Sequence, residues 1–294
     1  MRRTVSKAGD ALGDSLDVVR EFLRHQLAPA GGFQGRDGRS DLYYTVFGLE
    51  ASMALSVDLP HDRIDAYLNS FAAGESLDLV HLTSLIRCRA NRADCGRGKL
   101  EGRMREDMIS RLLAYRSNDG GFSAATAAPR GSTYGSFLAL AACQDLGLHL
   151  VDLDSLAESI RSLQMPDGGY SNEPALTIGA TPATAAAIGV LHYLSRPVPE
   201  AAIRWLLDRA GPRGGFTAIP VAADWAIPDL LSTATALHAL SLVGALAEEG
   251  REKHLDYLDS LWSTQGGFHG HWGDEAVDCE YTYYGLLSLG CLVE

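Results

Sequence analysis

The sequence predicts an all-α protein in which six helical hairpins, each an outer and an inner helix, close into one ring. Three observations carry this prediction. A GGF or GGY element recurs five times, at 31–33, 120–122, 168–170, 214–216 and 266–268, and marks the turns of a repeat architecture. A threonine stands near the start of an apolar helical run in each unit, and there are six of them: Thr45, Thr83, Thr133, Thr184, Thr233 and Thr282. Charged amphipathic segments separate these runs, so each unit pairs a helix that faces water with one buried all round.

The turn aromatics are spaced 89, 48, 46 and 52 residues apart, so one unit, the second, has lost its GGF and keeps only its threonine. Three residues beyond each threonine come Gly48, Ile86, Ser136, Ala187, Ala236 and Gly285. Five of these six are small, as expected where a helix backbone approaches a neighbour closely, and Ile86 belongs to the unit without GGF. The outer helices are expected at 13–26, 61–72, 102–115, 153–164, 198–209 and 250–262, where charge alternates with Leu or Ile. Inner helices such as TAAAIGVLHYL and TATALHALSLV carry almost no charge. No run alternates with period two, so strands have no support. An open helical array ends in polar capping repeats, whereas the last unit, TYYGLLSLGCLVE, is as apolar as the others. The ring therefore closes, and its inner helices line a central cavity. The 294 residues divide into six units of 45 to 50, which predicts one domain spanning 1–294.

Lys and Arg number 25 against 37 Asp and Glu, a net charge of −12 that opposes a phosphate backbone and argues against nucleic acid as a partner. Hydrophobic residues make up 46% and charged ones 21%, the profile of a globular chain rather than a disordered one. The N-terminus, MRRTVSKAGDALGDSL, lacks the apolar stretch of a signal peptide or a membrane span, and a cytoplasmic protein is expected. Five cysteines without a CxxC pair read as reduced packing residues.

Stretches such as GGFQGRDGRSDLYYT and GGFHGHWGDEAVDCEYTYYG resemble the repeats of the protein prenyltransferase β-subunits and the terpenoid cyclases. The resemblance runs from about residue 13 to the end and implies an (α/α)6 toroid. It also implies sites that can be tried residue by residue. The zinc site of the protein prenyltransferases would take Asp229, but Leu231 stands where a D-x-C cysteine belongs and Tyr281 where the histidine belongs. The loop before Asp229 reads AADWAIP, without the Arg and Lys that hold a diphosphate in that family. The D-x-D-D acid motif of the class II cyclases is reduced to DLLSTA at 229–234. DLDS at 152–155 opens an outer helix and reads as an N-cap. No metal or other cofactor is therefore assigned.

Asp41, Asp229 and Asp278 each precede a repeat threonine by four residues, at the starts of inner helices in adjoining units, and Glu280 follows closely. All four are candidate catalytic groups. Crowded carboxylates raise one another's pKa and yield a proton donor, or gather a divalent cation, while the plain alternative is helix capping. His269 and His271 are weak zinc candidates beside Asp278 or Cys279. Tyr43, Tyr44, Phe47, Tyr281, Tyr283 and Tyr284 concentrate in units one and six, where π-faces would shape a pocket and shield cationic intermediates. His81 joins them as a substrate-binding candidate, and His238 reads as a core histidine. The basic stretch Arg87 to Arg105 reads as an exposed interhelical loop.

The expectation is a stand-alone enzyme that converts an isoprenoid or similar apolar polyene in the cavity by acid–base catalysis. Two alternatives stay open: a protein prenyltransferase β-like subunit that needs an α partner, and a noncatalytic ring that binds a lipid or a protein. A homo-oligomer is also left open.

Overall fold

The computed structural model describes residues 1–220 and 227–293. Six inner helices, α3 (Leu42–Ala54), α5 (Leu79–Asp94), α7 (Thr133–Asp145), α9 (Thr181–Tyr193), α11 (Leu230–Leu242) and α13 (Cys279–Leu292), pack each against the next, and α13 returns to α3. The ring is closed. Six outer helices alternate with them: α2 (Leu16–His25), α4 (His61–Asn69), α6 (Gly102–Leu113), α8 (Leu153–Arg161), α10 (Glu200–Leu207) and α12 (Arg251–Asp259). All lie within the segments expected from the amphipathic pattern. The only β-ladder among the described residues is a two-residue pair, β1 (Phe216–Thr217) with β2 (Pro228–Asp229).

A single hydroxyl joins turn to helix in most units. Thr45 Oγ1 accepts the Phe33 N–H at 3.0 Å and donates to the Asp41 carbonyl at 2.5 Å. Thr184, Thr233 and Thr282 repeat both bonds with Tyr170, Phe216 and Phe268. In the third unit Ser136 does this, accepting from the Phe122 N–H at 3.0 Å, while Thr133 donates to the Ser171 carbonyl of the next unit. The repeat hydroxyl there lies three residues beyond the expected threonine, because serine supplies the same oxygen. The small residue that follows is Ala139, not Ser136.

That small residue also has a different reason from the expected one. A Cβ on Gly48 would stand 2.1 Å from the Phe33 ring, and one on Gly285 would stand 2.5 Å from Phe268. Space is kept for the turn aromatic rather than for a neighbouring helix. Ile86, fully buried, belongs to the unit that has no such aromatic. Ring closure uses the same turns: Gly266, at φ 96°, sits against the Val18 carbonyl of α2, where a Cβ would approach to 2.4 Å.

A further helix, α1 (Arg2–Leu12), precedes the six units. In sequence this charged stretch shows only the lack of an apolar leader segment, but Val5 and Ala8 give it a fully buried face. It crosses α13 at Gly290, where a Cβ would lie 1.8 Å from the Thr4 carbonyl, and so covers the C-terminal end of that inner helix. The basic stretch is also placed differently: α5 continues to Asp94, so Arg87, Arg89 and Arg92 are helical, and Arg92 is buried. Their long stems pack while their heads find carboxylates or carbonyls. All five cysteines are free thiols, and Cys88, Cys143 and Cys279 are buried. No described helix is long and apolar enough to cross a membrane.

Gly48→Ala should therefore lower stability by about 1–3 kcal/mol through overpacking against Phe33. Urea unfolding of the variant beside the wild type measures this, and Phe33→Leu in the same chain should recover part of the loss.

Candidate functional site

The turns and the N-termini of the inner helices form one rim. Helix starts leave backbone N–H groups unpaired, and here acidic or hydroxyl side chains take them. Asp41 Oδ1 accepts from the Tyr43 and Tyr44 N–H groups at 2.7 and 3.2 Å. Asp229 accepts from the N–H and the hydroxyl of Ser232, both at 2.7 Å. Asp278 accepts from the Tyr281 N–H at 2.8 Å. All three aspartates are N-caps, as is Asp152 on α8.

Their second contacts differ. Arg36 bridges Asp278 and Asp274 at 2.9 and 2.7 Å and lies over the Tyr281 ring, 5.2 Å from its centroid. This cation sits in the first GGF loop. The cation-free loop before Asp229 lies, at 222–226, outside the described residues. Asp41 is 3.5 Å from His81 Nε2, and His81 Nδ1 is 2.8 Å from Asp78. Burial opposes protonation of His81, yet the two aspartates raise its pKa overall. Burial raises Asp229, and its Ser232 bonds oppose that rise.

Glu280 caps nothing. It stands two residues into α13, partly buried, and Tyr43 donates to its Oε1 at 2.5 Å. Burial pushes its carboxyl up to about 7; the nearby Asp278 adds to this, while the Tyr43 bond and Arg36 pull the other way. Burial also raises the Tyr43 phenol.

Tyr43 separates two spaces. A shallow mouth pocket of about 360 Å³ is lined by Asp41, Tyr43, Tyr44, Val80, His81 and Tyr134. Behind it lies a chamber of about 530 Å³ inside the inner ring, which shares Tyr43, Val80 and Tyr134 with the mouth. This volume is within the range of pockets for small apolar ligands. Phe47 meets Tyr43, Tyr284 and Tyr283 at centroid distances of 5.0, 5.4 and 5.5 Å, which makes one wall of the chamber aromatic. Tyr281 stays outside this wall, under Arg36.

The structure thus brings together Asp41 with His81, Asp278 with Arg36, and Glu280 with Tyr43, while Asp229 is held by Ser232. His269 Nδ1 lies 3.1 Å from the Ala276 carbonyl, and His271 Nδ1 accepts the Gly273 N–H at 3.0 Å. Among the described residues no three His, Cys, Asp or Glu side chains converge as a metal site.

Several chamber residues lay outside the sequence candidates: Tyr134, and the polar groups Glu50, Arg87 and Asp145. His238, read from sequence as a core residue, also lines the chamber. Glu50 carried a signal, as the one charge inside the apolar run TVFGLEASMAL. Arg87 donates to Glu50 and to Asp145, both at 2.6 Å, and Tyr283 donates to Glu50 at 2.8 Å.

Solved structures share the ring. A Candida albicans protein geranylgeranyltransferase-I complexed with GGPP aligns at TM-score 0.64 with 16% identity, covering 79% of this chain and 78% of its own. A type II terpene cyclase, MstE from Scytonema, in complex with geranylgeranyl dihydroxybenzoate aligns at 0.65 with 13% identity over 97% of both chains. An α-1,6-mannanase of Salegentibacter sp. HEL1_6, an inactive variant in complex with α-1,6-mannotetrose, aligns at 0.65 with 14% identity over 95% and 98%. Identities this low speak for the fold alone. No curated protein sequence matches this chain significantly. The family model of the prenyltransferase alpha-alpha toroid domain matches residues 92–195 and 184–293, well over half of the sequence, and the chain belongs to that family.

Proposed function

We propose that this protein is an enzyme that converts an isoprenoid or similar apolar polyene in the inner chamber, with Glu280 as the proton source and Tyr43 as its contact with the substrate. One observation carries the reading: the partly buried Glu280 carboxyl is bonded to a phenol that lines the aromatic wall, and desolvation there pushes the carboxyl up to about 7. An acid poised near the working pH transfers protons most effectively.

In the proposed step protonated Glu280 reverses this hydrogen bond and donates to the Tyr43 oxygen, as Tyr43 turns its own proton to a terminal alkene or epoxide. The resulting carbocation is attacked by internal double bonds, and loss of a proton back to the Tyr43–Glu280 pair completes an isomerisation without a co-reactant. The faces of Phe47, Tyr283 and Tyr284 stabilise the cation on its way. Asp41, Asp229 and Asp278 serve the rim as caps, and Tyr44, His81 and Tyr281 shape the entrance. The proposed chemistry needs neither zinc nor a diphosphate clamp, consistent with Leu231 and Tyr281 at the family's ligand positions.

A panel of polyenes, epoxides and prenyl alcohols, scored for product by gas chromatography and mass spectrometry, tests this directly. On the substrate so found, Glu280→Gln should lose at least about 100-fold in kcat with binding retained, and Tyr43→Phe should fall in the same direction. Full turnover by Glu280→Gln removes Glu280 from the mechanism. Binding without product from any of the panel favours the noncatalytic ring.

The raised carboxyl also predicts a pH dependence of stability. Between the ordinary value of 4.5 and about 7 the folded protein holds a proton that the unfolded chain has released. Stability therefore falls as pH rises through this window. In Glu280→Gln the upper part of the slope should vanish, leaving the contribution of Asp145, which burial pushes up to about 6. Urea midpoints from pH 4 to 8 measure both.

A further inference from the structure

The chamber has a second polar region that the chemistry at its mouth does not use. Glu50, Arg87 and His238 each follow a capping aspartate, Asp41, Asp78 or Asp229, by nine residues, on α3, α5 and α11. At 1.5 Å per residue this sets them roughly 13 Å below the rim. Asp145, the last residue of α7, and Met1 line the same chamber.

Most of this floor is already paired. Glu50 takes Arg87 and Asn91 on Oε1 and Tyr283 on Oε2, and Arg87 is shared with Asp145 Oδ1. Two atoms are left over, Asp145 Oδ2 and His238 Nε2, buried and without a hydrogen-bond partner. His238 is only 7% exposed. Buried polar atoms ordinarily find partners, and both residues line the chamber. Burial lowers the His238 pKa to about 4, which keeps the ring neutral, with one nitrogen able to donate.

We propose that this floor recognises a neutral hydroxyl at the inner end of an otherwise apolar ligand, which donates to Asp145 Oδ2 and accepts from His238 Nε2–H. Arg87 fixes Asp145 from behind and acts as a positioning residue. An anionic head group fits poorly, because the Arg87 guanidinium already serves two carboxylates and the Met1 ammonium, the floor's other cation, is coupled to Glu50. A plain hydrocarbon would leave both atoms unpaired. This inference rests on reading the chamber as a site for an apolar chain.

Equilibrium dialysis of the full-length protein against farnesol, the matched hydrocarbon farnesene and farnesyl diphosphate tests it. The wild type should bind farnesol about tenfold or more tightly than farnesene, as one or two recovered hydrogen bonds require. His238→Leu should bring that ratio to about one with farnesene binding unchanged. Asp145→Asn, which keeps the shape and the oxygen facing Arg87, should lower the ratio as well and serves if the leucine variant fails to fold. Equal wild-type binding of alcohol and hydrocarbon, or a ratio unchanged in the variants, overturns the floor site and leaves the chamber reading standing. Loss of binding for every probe overturns both. A preference for the diphosphate that His238→Leu abolishes would make the site one for anions and overturn the assignment to a hydroxyl.

Discussion

The ring depends on one small device, the hydroxyl that accepts the turn aromatic's N–H and donates to the carbonyl four residues back on the inner helix. It fixes where each inner helix starts relative to its turn. It thereby sets which residues stand on the rim and which stand in the chamber. The bare Cα three residues later lets the aromatic ring lie against the helix it has just anchored. In five units a hydroxyl holds the turn aromatic's N–H, and the last of these turns, at Gly266, meets the first outer helix and closes the circle.

Placing six helix starts on one rim concentrates unpaired N–H groups there and makes that rim favourable to carboxylates. Most of its acids satisfy those groups, and their charges are taken up by local bonds or by Arg36. Glu280 differs because its carboxylate accepts from the Tyr43 phenol and, unlike the aspartates, caps no backbone N–H. Its charge meets burial and a neighbouring carboxylate instead, which is why it alone among the rim's glutamates and aspartates has both a strongly raised pKa and a phenol facing the chamber.

The chamber repeats this contrast at its far end. A wall of aromatic and small aliphatic side chains runs from Tyr43 down to a knot of Glu50, Arg87 and Asp145, beside which Met1 also lines the chamber. Under the proposed function the apolar middle would take a chain without charge, and the two polar ends would give it a direction.

The sequence by itself determined the all-α class, the number of units, the alternation of outer and inner helices and the closure of the ring. Each of these is a periodic property, and periodicity survives in one dimension. It also marked Asp41, Asp229, Asp278 and Glu280 as a group, since the three aspartates share one offset from the repeat threonines and Glu280 follows Asp278 by two residues. It did not separate Glu280 from the three caps, because that difference is one of burial and partner. It misplaced the hydroxyl of the third unit, since Thr133 and Ser136 offer the same chemistry and only the turn's N–H selects between them. Arg87 reads in sequence as the start of an exposed loop and Asp145 carries no signal, yet helices from three different units bring them together with Glu50. Partnership across the ring was decided only by the tertiary structure, because an ion pair depends on distance in space and no spacing along the chain encodes it.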